Sequence, residues 1–172
     1  LEAATKVVFA HEFFHLAQWN VLLFTPHTER KWVNGFIEAQ GKLAPTLMYP
    51  EVALEGHLVR DGRYSGYTEA ANRYLEFRLK ASLADLEAES VSKYDAALYW
   101  RFLYEQYGVS ILQASLEEMG QRADGDVVKR MPQVMDRVFA GVDGPFNNYA
   151  ESLAAFAHAN YALRLRSPGC RA

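Results

Sequence analysis

Val7-Val8-Phe9-Ala10-His11-Glu12-Phe13-Phe14-His15-Leu16-Ala17-Gln18-Trp19 is the stretch that decides how this chain is read. It holds no glycine or proline, and neither does the longer run from about Glu2 to Leu23, which Thr25-Pro26 closes. A long helix is predicted there. On a helix His11 and His15 stand one turn apart on one face, so both imidazoles can reach a single zinc ion. Glu12 lies beside them, placed to take a proton from a water whose pKa zinc lowers to about 7. The apolar residues on either side supply the packing such a helix needs.

Working outward, the pattern stays helical. Lys31 to Gln40 reads as a short helix closed by Gly41, and a loop with Pro45 and Pro50 follows. Glu51 to Leu58 reads as another short helix, and Asp61-Gly62 with Ser65-Gly66 as a turn. From Thr68 to Glu89 the residues Leu75, Leu79, Leu83 and Leu86 recur at helical steps. Tyr94–Tyr107 and Val109–Met119 each end at a glycine, Gly108 and Gly120. Asp126 to Phe139 carries Pro132, which should kink or split it, and a last helix runs from about Asn147 to Leu165. No convincing strand, repeat or linker is evident. The expected fold is all-α: one helical unit over 1–172, with a zinc helix at about 2–23, a second helix at about 31–40 and a bundle over about 68–165.

Half of the 172 residues are hydrophobic, enough to bury a sizeable core and to argue against disorder. A net charge of −3, with both signs mixed, gives no reason to expect nucleic acid as a partner. No apolar stretch reaches the roughly 20 residues of a membrane span. The lone cysteine, Cys170, makes no internal disulfide and is compatible with a secreted bacterial enzyme as with other locations. The chain opens at Leu1 almost directly on the helix with the chemistry, which suggests a piece of a longer protein.

Zinc needs a third protein ligand. In this region the chain reads Trp32-Val33-Asn34-Gly35-Phe36-Ile37-Glu38. This resembles the W-L-N-E-G-F-A motif that follows H-E-x-x-H in gluzincin metallopeptidases of the aminopeptidase-N and thermolysin kind. Aligned on Gly35-Phe36, Asn34 takes the place of the family's ligand glutamate, with the family's gap of eighteen residues after His15. A deletion of that glutamate would leave the same residues. Glu38 lies one helical turn later on the same face. It reads as a carboxylate supporting a zinc-bound histidine, as a direct ligand, or as a solvated helix residue. Glu29, Glu51 and Glu55 have no spacing that aims them at the metal.

Tyr94-Asp95-Ala96-Ala97 begins a segment similar to the Y-E-K-G helix of the same family. The resemblance gives Tyr94 the role of donating a hydrogen bond to the oxyanion. It also implies a β-sheet before the zinc helix, which this chain lacks, so the expected unit is the helical catalytic subdomain. His27, His57 and His158 read as structural histidines. The implied activity is zinc-dependent hydrolysis of peptide bonds in a peptide or protein substrate. The alternative is a pseudo-peptidase module that binds such partners without cutting them.

Overall fold

The protein is described from a computed structural model, over residues 2–22, 31–53, 57–59, 62–64, 96–120 and 131–166. In chain order its elements are α1 (Glu2–Leu22), α2 (Lys31–Met48), α3 (Pro50–Ala53), β1 (His57–Val59), β2 (Gly62–Tyr64), α4 (Ala97–Tyr107), α5 (Ser110–Gly120), α6 (Met131–Gly141) and α7 (Tyr149–Arg166). The fold class is all-α. Tyr94 and the leucine-rich segment 68–89 lie outside the described residues. No helix among the described residues is long and apolar enough to cross a membrane.

The largest departure from expectation is α2, which continues through Gly41 and Pro45 to Met48. Together these two residues cost a helix interior about 4 kcal/mol. Burial outweighs that: Phe36, Ile37 and Leu43 are all buried, at roughly 1.5–3 kcal/mol each. Phe36 meets the Trp100 ring of α4 edge-on, with centroids 4.4 Å apart. The carbonyl of Pro45 still accepts from the Tyr49 N–H at 2.8 Å, so the chain makes one further turn.

The helix expected from Glu51 to Leu58 is instead α3, a single turn, followed by strand β1. β1 pairs antiparallel with β2 in the register His57↔Tyr64, Leu58↔Arg63 and Val59↔Gly62. Three-residue strands are too short for alternation to show in the sequence. So small a hairpin is marginal alone, and β1 packs against α1. The expected residues 126–130 lie outside the described residues, and Pro132 stands at the start of α6 rather than inside it. It is the second residue of that helix, where an amide proton would have no intrahelical partner in any case.

The core joins α2 to α4, α5, α6 and α7 through Leu103, Ile111, Met135, Phe139 and Phe156. Gly108 ends α4 at φ 66°, where its N–H bonds the Tyr104 carbonyl at 2.8 Å. Asn148 caps α7 by accepting from the Glu151 N–H at 2.9 Å, and Glu151 reaches back to the Asn147 N–H at 2.8 Å. The Tyr107 hydroxyl pins the α6–α7 connection: it accepts from the Phe146 N–H at 2.9 Å and donates to the Phe146 carbonyl at 3.2 Å. Tyr107→Phe removes both bonds and keeps the ring. It should destabilise the fold by about 1–3 kcal/mol in urea unfolding, and an unchanged midpoint would count against this pin.

Candidate metal centre

Helix α1 faces the interior with polar side chains. His11 and Gln18 are buried and His15 is half-buried, while Phe9, Phe13 and Leu16 are 58%, 53% and 61% exposed. Burying polar groups is costly unless each finds a partner, and here the partners come from α2. His11 Nε2 and His15 Nε2 lie 2.9 Å apart. Glu38 Oε2 lies 3.3 Å from the first and 3.5 Å from the second. Two nitrogens and a carboxylate oxygen thus converge on one point. This donor set could hold a metal ion.

Glu38 is not a solvated helix residue, since its side chain is only 18% exposed. A supporting carboxylate would bond the ring nitrogen away from the metal. Glu38 instead meets the two Nε2 atoms that face each other. Asn34 lies in the same helix, one turn earlier, and its side chain is outside the described residues. Glu12 is exposed to solvent yet close enough for its charge to act on His15. Glu51 is exposed, as is His158. The remaining sequence candidates, Glu29, Glu55, His27, Tyr94 and Cys170, lie outside the described residues, and of His57 only its place in β1 is described.

Sequence reasoning missed two features. The first is Gly41, read as a helix end. A Cβ there would stand 2.8 Å from His15 Cε1 and 3.0 Å from His11 Cε1. The bare backbone of α2 is therefore the floor on which both imidazoles rest. The second is a buried polar chain behind His15. His15 Nδ1 is 2.6 Å from Gln18 Oε1, and Gln18 Nε2 donates to the Ile37 carbonyl and to Gln40 Oε1, both at 3.1 Å. Gln40 Nε2 then donates to Ser115 Oγ at 2.9 Å. The available signals were a glutamine three residues after His15 on the same helix face and a glycine three residues after Glu38.

With this geometry established, comparison with known proteins adds nothing to it: no family model, no curated protein and no solved structure matches the chain.

Glu38 raises the pKa of His15 by accepting from its imidazolium. Partial burial works in the opposite direction, and Gln18 adds a smaller upward effect. A raised folded-state pKa favours the fold while the ring is protonated. That contribution is complete below the unfolded value of about 6.5 and is lost as pH rises through the folded pKa. Melting curves of metal-stripped protein should therefore show Tm falling over that interval, and a His15→Ala variant should lose this dependence. Gly41→Ala should lower metal affinity by about tenfold or more, the scale seen when a ligand's support is disturbed. Alanine favours helix by about 1 kcal/mol over glycine, so its fold should persist. Equal metal affinity in the two proteins would show that the floor has no role in binding.

Proposed function

We propose that the protein is a zinc-dependent peptidase of the gluzincin type, in which His11, His15 and Glu38 hold the ion and Glu12 is the general base. The observation that carries this reading is the convergence of Glu38 on the two histidines of the H-E-x-x-H helix. Ligands about 2.0–2.2 Å from a tetrahedral zinc stand roughly 3.3–3.6 Å from one another. Two of the three separations here, 3.3 and 3.5 Å, lie in that range, and the third, 2.9 Å, is somewhat shorter. The donor types fit as well, since two imidazoles and a carboxylate are a known set for hydrolytic zinc.

When bound, zinc supplies the Lewis acidity that lets water react near neutral pH. Glu12 takes the proton from the attacking water and returns it to the leaving amine. Its exposure leaves it open to solvent and substrate. His11 and His15 would offer their Nε2 lone pairs to the ion, and Glu38 would balance part of its charge. Tyr94 would donate to the oxyanion, a role that rests on the family resemblance. The alternative is a pseudo-peptidase module that binds a peptide or protein without cutting it, and turnover separates the two readings.

Purified protein should retain about one zinc per chain after dialysis and cleave an unstructured protein substrate in a chelator-sensitive way. Glu12→Gln should keep the zinc and lose at least a hundredfold in turnover, the scale of a general base. Glu38→Ala should lose zinc and turnover together. Turnover that survives Glu12→Gln would sink the mechanism, and zinc retained in full by Glu38→Ala would sink the ligand assignment.

A further inference from the structure

We propose that Gln18 is the positioning residue of this centre, and that α5 sets its orientation through Gln40 and Ser115. The inference deepens the metal-binding reading above and rests on it for the identity of the ligands. Gln18, Gln40 and Ser115 are all fully buried, so each polar atom needs a partner of the right kind.

The donors and acceptors can be followed from the far end. The Ser115 hydroxyl donates to the Leu112 carbonyl at 2.7 Å, which leaves its oxygen to accept. Gln40 Nε2 donates to that oxygen at 2.9 Å, so Gln40 Oε1 must face Gln18. Gln18 Nε2 donates to Gln40 Oε1 and to the Ile37 carbonyl. A flipped Gln18 would set its own oxygen against those two oxygens and its NH2 against His15. Only one orientation balances, and it turns Gln18 Oε1 toward His15 Nδ1 at 2.6 Å. The Nδ1 of His15 is thereby made a donor. In the neutral ring the proton sits on Nδ1 and the lone pair on Nε2, the atom that faces His11 and Glu38. A backbone carbonyl on α5, three side chains away, and the Ile37 carbonyl on α2 thus together fix which nitrogen of His15 is free to bind metal.

The test is the tautomer of His15 in metal-free protein, read from 15N–1H correlations of the imidazole under alkaline conditions. Zinc affinity is measured alongside, by competition with a chelating dye. The wild-type ring should be in the Nδ1–H form. Gln18→Leu should give a mixture with the Nε2–H form and bind zinc roughly 10–100-fold more weakly. Ser115→Ala touches no ligand and should shift the tautomer in the same sense by a smaller amount, with a severalfold loss of affinity. A merely structural role for these residues would leave the tautomer unchanged. If Gln18→Leu does not fold, Ser115→Ala decides the matter, and an unaltered Nδ1–H form in the folded variant overturns the proposal. The tautomer is read without metal, so a wild-type protein that bound no zinc would defeat the peptidase reading while leaving this test intact.

Discussion

The close approach of α1 to α2 over Gly41 is the contact on which the site depends. Two imidazoles can lie against the backbone of a helix only where that backbone carries no side chain. Gly41 provides the space, and Glu38, three residues before it, shares the same face of α2. Anything that moved α2 away from α1 would separate the carboxylate from the nitrogens. The rest of the fold prevents this. Phe36 against Trp100, and Leu43 within the shared core, hold α2 to α4 and its neighbours. The site is therefore built on two packed helices, which hold side chains more closely than loops do.

The orientation of α1 follows from the same contact. Its interior face carries His11, His15 and Gln18, and its outer face carries Phe9, Phe13 and Leu16. This departs from the usual amphipathic arrangement, although Val7 and Ala10 are also buried on that face. It is tolerable because the buried polar atoms satisfy one another, from His15 through Gln18 and Gln40 to Ser115. Val7 and Ala10 are the small apolar residues that let the helix come close. Phe9 and Phe13 stack with centroids 5.8 Å apart on the outer face, next to Glu12. An apolar surface thus flanks the proposed general base.

Much of this was legible in local sequence. The span of α1, the end of α4, and the pairing of His11 with His15 follow from helical periodicity and a terminal glycine. Both are local properties of the chain, set by the 3.6-residue turn and by the backbone freedom of glycine at Gly108. The all-α class follows from the same periodicity. Average propensities do not describe Gly41, Pro45 and Pro132, where burial of α2 outweighs the penalty or a place at the helix start removes it.

The carboxylate that joins the two histidines was decided only by tertiary structure. Twenty-two residues separate His15 from Glu38, and nothing in that interval states which turn of α2 will face α1. Motif spacing pointed to Asn34, while the packing of Phe36 and the space at Gly41 turned Glu38 inward. The same holds for Ser115, whose link to His15 runs through two glutamines and exists only because α1, α2 and α5 meet. The sequence alone determined which residues can bind and move protons, because that is a property of side-chain chemistry and helical repeat. Which of them meet depends on how the helices pack, and that is set by contacts between residues far apart in the chain.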